Sequence, residues 1–150
     1  KRYYHEMVGG NLRLDALQAR FLRVLLNGAS DEWLNKRQKN AEYYFENIKN
    51  PMVTLPYPTD TLDNHSWYLY TLIVNGRDEL QKHLTDNGIQ TFVYWPIPLH
   101  KQPIYQEIFG DQSLPECEKR CEEVLHIPIS PHLTEDELKT ITTCINEFKK

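Results

Sequence analysis

The sequence lacks the features that mark several common classes of protein. Its uninterrupted apolar runs are only a few residues long, as at residues 72–74, which excludes a transmembrane helix. No basic block occurs and the net charge is −4, so a phosphate-neutralising surface for nucleic acid is missing. Residues 1–4 contain no apolar signal region. We therefore expect neither nucleic acid nor a membrane as a partner.

Cysteine is also scarce. The three cysteines are Cys117, Cys121 and Cys144, an odd number that cannot all pair within one chain. Cys117 and Cys121 lie four residues apart, but no further ligands follow at the spacing of a zinc site. The sequence therefore predicts no metal site and predicts reduced thiols. Together with the missing signal region, this points to the cytoplasm.

What the chain does contain is enough apolar sequence for a core and a clear helical beginning. Of its 150 residues 40% are apolar, which suits one domain or part of one. Two amphipathic helices are expected in residues 14–50, separated near Asn27-Gly28 and ended by Pro51. Their apolar positions recur at spacings of three and four: Leu14, Leu17, Phe21, Val24 and Leu25, then Leu34, Ala41, Tyr44, Phe45 and Ile48.

The second part of the chain alternates strands and helices. The patterns predict strands at 66–74, 90–94 and 127–129, and helices at 77–87, 115–125 and 134–148. Gly88 suits a left-handed helix end, and Thr134 with Glu137 forms a capping box. The prolines at 96, 98 and 103 indicate an irregular loop. The expected class is α+β: long N-terminal helices followed by a small sheet covered by helices. Residues 1–50 form the helical segment and residues 51–150 a small C-terminal domain.

Two short segments suit ligand binding. Gly9-Gly10-Asn11 precedes the first helix, where glycines allow close backbone approach and free N–H groups favour anions. Residues 91–102 form a predicted strand that runs into a proline-stiffened loop carrying Tyr94 and His100, whose polar atoms suit sugar hydroxyls. Each segment also has a plain structural interpretation. In that interpretation the first segment is only a loop with a helix start, and the side chains of Tyr94 and Trp95 only pack at the end of a strand.

Five acidic residues form an acidic region in and next to the helix predicted at 115–125, and this region is most simply interpreted as a solvated helix face. They are Asp111, Glu116, Glu118, Glu122 and Glu123.

These segments, in this order, resemble the C-terminal part of sugar-nucleotide aminotransferases of the DegT/StrS type. Residues 9–19 match the family's G-x-N-x-R-x-D/E-x-x-Q-A, and residues 94–100 match its aromatic-proline and Pro-Leu-His elements. Trp95 departs from the usual Tyr and removes a hydroxyl. Residues 65–70, 77–80, 88–89 and 125–134 resemble further parts of the small domain, so the similarity covers nearly the whole chain.

The resemblance implies a fold type I enzyme that uses pyridoxal 5'-phosphate. It implies a homodimer with shared active sites, in which Asn11 reaches the cofactor phosphate of the partner subunit. Tyr94 and His100 then contact the sugar nucleotide, and Lys1 contacts its diphosphate. The reaction would move an amino group from an amino acid, glutamate, to a nucleotide-linked keto sugar of the dTDP-3-keto-6-deoxyhexose kind. Its product would enter surface polysaccharides or antibiotic sugars.

No lysine of this chain lies in a context that resembles the family's Schiff-base lysine, which is expected upstream in a large cofactor domain. We therefore expect no catalytic residue in this portion and no activity from it alone. Two alternatives stay open. One is a sugar dehydratase of the same superfamily, and the other is a non-catalytic module for sugar-nucleotide binding or dimerisation.

Overall fold

The computed structural model describes residues 6, 9, 14–28, 30–56 and 65–149. Within them the chain forms six α-helices and three β-strands. In chain order they are α1 (Ala16–Gly28), α2 (Ser30–Asn47), β1 (Val53–Thr54), β2 (Tyr70–Val74), α3 (Arg77–Asp86), α4 (Pro103–Phe109), α5 (Pro115–Glu123), β3 (Val124–Ile127) and α6 (Glu135–Glu147).

The three strands form one antiparallel sheet with β2 in the centre. β1 pairs Val53 with Val74, and β3 pairs Ile127 with Tyr70. Side chains alternate across β2 because successive residues of a strand point to opposite faces. Tyr70, Leu72 and Val74 are therefore buried, while the residues between them are only half-buried.

One face of the sheet carries the hydrophobic core, which the helices cover. α3 contacts β2 and β3, and α6 contacts both α2 and α3. From α2 the ring of Tyr44 lies 5.0 Å from that of Tyr70. The largest fully buried side chains are Tyr44, Tyr70, Leu72, Leu80, Leu84, Leu125, Ile145 and Val74.

Hydrogen bonds fix α2 and its C-terminal end to the rest of this core. Asn40 Nδ2 donates to the Ser130 carbonyl at 2.9 Å, and the Tyr44 hydroxyl donates to the Pro128 carbonyl at 2.7 Å. The buried Asn50 donates to the carbonyls of Ile145 (2.8 Å) and Phe148 (2.9 Å) at the end of α6. The second half of α2 thus packs as part of the sheet domain, and the expected division at residue 50 stays a prediction.

The predicted α+β class is confirmed, and two local motifs are confirmed in detail. Thr134 and Glu137 form the capping box of α6, with Glu137 N donating to Thr134 Oγ1 at 3.2 Å. Gly88 has φ +76°, the left-handed conformation expected at a helix end.

Three strand predictions need correction. The strand predicted from residue 66 begins at Tyr70, because Trp67 has a left-handed backbone (φ 47°) that interrupts the extended chain. The strand predicted at 90–94 is a single bridge between Phe92 and His126. The last strand ends at Ile127 and is not 127–129, since Pro128 has no N–H to continue the ladder.

The loop after residue 95 is also more regular than predicted. A 3₁₀ turn at Leu99–Lys101 leads into α4, which begins with Pro103. Proline at the first helical position costs nothing, because that N–H would be unpaired in any case. In the part of the chain that the structure describes, no helix is long and apolar enough to cross a bilayer.

Candidate functional site

Two of the residues predicted to contact a sugar nucleotide, Tyr94 and His100, lie in residues 93–101, which we call the proline loop. It starts where Phe92 exchanges two backbone hydrogen bonds with His126 of β3, at 3.0 and 2.9 Å. It ends in the 3₁₀ turn, where Lys101 N donates to the Pro98 carbonyl at 3.0 Å. The sheet thus fixes one end of the loop and α4 fixes the other, which limits the positions its side chains can adopt.

Tyr94 is half-buried at the start of this loop. Its ring centroid lies 5.1 Å from that of His126 and 5.8 Å from that of Phe92. Trp95 points away from the core and is 59% exposed. We expect Tyr94 to face a substrate and Trp95 to pack or to line the rim of the pocket. Trp95 does not pack into the core of the described residues.

His126 supports Tyr94 from β3. It is 6% exposed, and its Nδ1 lies 2.9 Å from the Thr71 hydroxyl on β2. Within the described residues its Nε2 has no hydrogen-bond partner. Burial lowers the pKa of the His126 imidazole, because the charged ring loses its hydration. The ring is therefore a neutral, oriented support for Tyr94.

His100 is held from α5. Its side chain is 10% exposed, and its Nε2 lies 2.9 Å from Oε1 of Glu118. The same carboxylate oxygen accepts the backbone N–H of Leu114 at 2.9 Å. The interpretation of the acidic residues as a solvated face is wrong for Glu118, which is half-buried and joins α5 to the proline loop. Charge pattern alone gave no signal for this contact.

Charged groups surround this pair. Lys101 Nζ lies 2.7 Å from Asp111 Oδ1 and 3.8 Å from Glu118 Oε1. The hydrogen bond from His100 and then that from Leu114 N–H lower the pKa of the Glu118 carboxyl. The hydrogen bond to Asp111 raises the pKa of the Lys101 ammonium. Both groups are thereby kept charged at neutral pH.

The described lysines do not fit the covalent attachment of pyridoxal phosphate. A Schiff-base lysine needs a depressed pKa, which comes from burial or a nearby cation. On the proline loop the described lysine is Lys101. Its hydrogen bond to the Asp111 carboxylate raises the pKa of the ammonium group instead of lowering it. The other described lysines are exposed to solvent in this chain. None of the described lysines is therefore suited to form a Schiff base with the cofactor.

Two predicted site residues, Asn11 and Lys1, lie outside the described residues, so the structure gives them no position. The described part of the chain holds no group of three or more His, Cys, Asp and Glu side chains that could bind a metal. Cys117, Cys121 and Cys144 are free thiols. A groove of about 320 Å³ lies between the end of α3 and α6, and none of its lining residues belongs to the proline loop.

Residues 1–146 match the model of the DegT/DnrJ/EryC1/StrS aminotransferase family. The chain is 41% identical over 138 residues to the erythromycin biosynthesis sensory transduction protein EryC1 of Saccharopolyspora erythraea, covering 91% of this chain and 37% of that protein. It is 37% identical over 148 residues to the dTDP-3-amino-3,6-dideoxy-alpha-D-galactopyranose transaminase of Aneurinibacillus thermoaerophilus, covering 99% of this chain and 40% of that enzyme.

A solved structure shows the same fold. It is that of S. venezuelae DesV in complex with a ketimine intermediate, with a TM-score of 0.81 and 34% identity, covering 98% of this chain and 40% of DesV. The chain thus spans about 40% of the length of such relatives. Because the family model extends over almost every residue, the chain belongs to the DegT/DnrJ/EryC1/StrS aminotransferase family.

Proposed function

We propose that this chain is the C-terminal portion of a pyridoxal-phosphate-dependent aminotransferase that acts on a nucleotide-linked keto sugar. The observation that carries the proposal is the family match over residues 1–146, together with similarity to a transaminase that makes a dTDP-amino sugar. Glutamate is the proposed amino donor. We place the reaction in the cytoplasm, in keeping with three cysteines that cannot all pair.

Helix α1 supports the view that this portion works with more protein. Its apolar side chains face solvent in this chain, with Leu17 74% exposed and Phe21 67% exposed. A contiguous exposed apolar surface of this kind is typical of an interface. We propose that the large cofactor domain and the second subunit of a homodimer cover it, with residues 1–50 linking the large domain to the small one.

The site residues have complementary roles in this proposal. Asn11 donates its amide to the cofactor phosphate of the partner subunit, and Lys1 contacts the substrate diphosphate. The Tyr94 hydroxyl and the His100 ring bind the sugar. The contacts of Tyr94 with His126 and of His100 with Glu118 support these roles, since both rings are held by the fold before any ligand arrives. The cofactor itself supplies the electron sink for amino transfer.

The experiment is glutamate-dependent amination of dTDP-3-keto-6-deoxyhexose by the full-length protein. The expected result is stoichiometric formation of 2-oxoglutarate and of the dTDP-3-amino sugar, which mass spectrometry detects. The protein should also show the visible absorbance of covalently bound cofactor, and borohydride should remove it.

Two results would contradict the proposal in different ways. Loss of water from the keto sugar without incorporation of nitrogen would identify a dehydratase. Binding of the sugar nucleotide by a protein without cofactor absorbance would identify a non-catalytic module.

Asn11→Ala in the full-length protein tests the cofactor contact separately. Loss of one charge-assisted hydrogen bond should weaken cofactor affinity by about 1.5–3 kcal/mol. Affinity within twofold of the unmodified protein would show that Asn11 does not contact the cofactor phosphate.

A further inference from the structure

We infer that Glu118 is a positioning residue: its carboxylate fixes the orientation and the proton position of the His100 ring and thereby sets how His100 contacts the nucleotide sugar. The functional half of this inference rests on the proposed function. The structural half rests on the contact between α5 and the proline loop, which joins two residues 18 positions apart in the sequence.

The carboxylate is oriented by its own helix before it meets His100. Oε1 of Glu118 accepts the Leu114 N–H at 2.9 Å, and Leu114 is the N-cap residue of α5. The helix start therefore determines where this oxygen lies. His100 Nε2 reaches the same oxygen at 2.9 Å. A flexible surface carboxylate would not define a position for the ring, whereas one held by a backbone N–H does.

The contact between His100 and Glu118 is less exposed to solvent than the neighbouring ion pair of Lys101 with Asp111. The His100 side chain is 10% exposed and that of Glu118 is 33% exposed, while Asp111 on the outer side of Lys101 is 78% exposed. The ion pair of Lys101 with Asp111 is thus a surface pair of small energetic value. The His100–Glu118 hydrogen bond is better shielded from water than this pair, because the His100 ring is nearly buried, and we expect it to persist in solution.

The contact also settles which ring nitrogen carries a proton. A carboxylate only accepts hydrogen bonds, so Nε2 must donate to it. Nε2 is then engaged with Glu118, and Nδ1 is the nitrogen with which the ring can contact a ligand. In the neutral ring Nδ1 accepts a hydrogen bond, for example from a sugar hydroxyl. The charged groups facing the ring are Glu118, Lys101 and Asp111.

The test compares Glu118→Ala with Glu118→Gln in the full-length protein. The Gln side chain keeps an oxygen that can accept from both Leu114 N–H and His100 Nε2, but it carries no charge. Glu122→Ala is the matched control, because Glu122 is an exposed carboxylate on the same helix. His100→Asn assigns the ring signals.

The first measurement is nitrogen-15 NMR of the histidine rings, which needs no substrate. We expect the His100 proton on Nε2 in the unmodified protein, in Glu118→Gln and in Glu122→Ala. In Glu118→Ala we expect a mixture of the two ring tautomers. An unchanged His100 signature in Glu118→Ala would overturn the inference.

The second measurement is calorimetric affinity for a dTDP-linked hexose. Glu118→Ala should weaken binding about tenfold, as expected for loss of one oriented hydrogen bond. Glu118→Gln should recover most of the affinity and Glu122→Ala all of it. Normal affinity in Glu118→Ala, with altered ring signals, would show that the contact serves only the fold and would overturn the positioning role. If both measurements behave as expected and the full-length protein does not transfer an amino group, the proposed function fails and the inference stands.

Discussion

Helices α1 and α2 are neighbours in sequence with opposite surroundings. Both carry apolar residues at helical spacing, and the sequence predicts a helix in each case. In α2 the apolar positions Ala41 and Tyr44 are completely buried against the sheet domain. In α1 the equivalent positions, such as Leu17 and Phe21, remain exposed.

The difference between the two helices shows how much an apolar pattern can predict. Periodicity indicates that one face of a helix will be buried, but it does not identify the partner. For α2 the partner is the sheet domain of this chain. For α1 we propose the remainder of the protein, which would also complete the site that begins at the proline loop.

The largest effect is expected from the core. Leu72→Ala removes a fully buried side chain from the central strand and should lower the free energy of unfolding by about 2–5 kcal/mol, because a cavity is left behind. Chemical denaturation of the 150-residue chain measures it.

Leu17→Ala is the matched control on α1. It should change the stability of the 150-residue chain by no more than about 0.5 kcal/mol, since the side chain is already in water. In the full-length protein the same substitution should be clearly destabilising. Equal small effects in both proteins would contradict a covered α1.

A slightly smaller loss of stability is expected where the segment after α2 is hydrogen-bonded to the end of α6. Asn50 is 6% exposed, donates to two carbonyls at the end of α6, and accepts the Met52 N–H at 2.9 Å. Asn50→Ala leaves these groups without their partner and should cost about 1–3 kcal/mol in the same denaturation experiment. Asn87→Ala, at an exposed side chain, should cost much less. Equal costs would show that the buried hydrogen bonds of Asn50 are not a main link between the helices.

The proline loop should behave in the opposite way to the core. Tyr94→Phe in the full-length protein removes one hydroxyl and keeps the ring contact with His126. We expect kcat/KM for the keto sugar to fall about tenfold, from loss of roughly 1–1.5 kcal/mol, with little change in melting temperature.

His100→Asn should act in the same manner, on the sugar half-reaction and not on the glutamate half-reaction. If both variants lose stability while the folded fraction keeps normal kinetics, the two residues belong to the structural framework and the pocket assignment fails.

The smallest effect concerns acid stability. Burial lowers the pKa of His126 from its usual value near 6.5. Above that value the ring is neutral in both states, so stability is complete. As pH falls from about 6.5 towards the lowered pKa, the unfolded chain binds a proton that the folded chain does not, and stability declines.

His126→Gln should therefore flatten the loss of unfolding free energy as the pH falls below about 6.5. His132→Gln, at an exposed ring, should leave that slope unchanged. An unchanged slope in His126→Gln would contradict a buried neutral ring.

Local rules predicted the parts of the structure that depend on neighbouring residues. The capping box of Thr134 and Glu137 and the left-handed Gly88 are of this kind. The boundaries of the strands depended on distant pairing and on the unusual backbone of Trp67, which composition does not reveal. The prolines predict an irregular loop that includes Pro103, whereas Pro103 stands in the first position of α4.

The same distinction between local sequence and tertiary structure applies to the candidate site. The motifs identified Tyr94 and His100 from the sequence, and the structure shows what surrounds them. Their supports, His126 and Glu118, come from β3 and α5 and are brought to the proline loop only by the tertiary fold. A histidine within a strand and a glutamate within an acidic helix carry no local signal for such a role.

We propose that this chain supplies one part of an aminotransferase site and that the remainder of the protein completes it. The most direct measurement is glutamate-dependent amination of dTDP-3-keto-6-deoxyhexose by the full-length protein and by the purified 150-residue chain under the same conditions, with added pyridoxal phosphate. We expect turnover by the full-length protein and none by the 150-residue chain. Turnover by the 150-residue chain alone, or its absence in a full-length protein with bound cofactor, would contradict it.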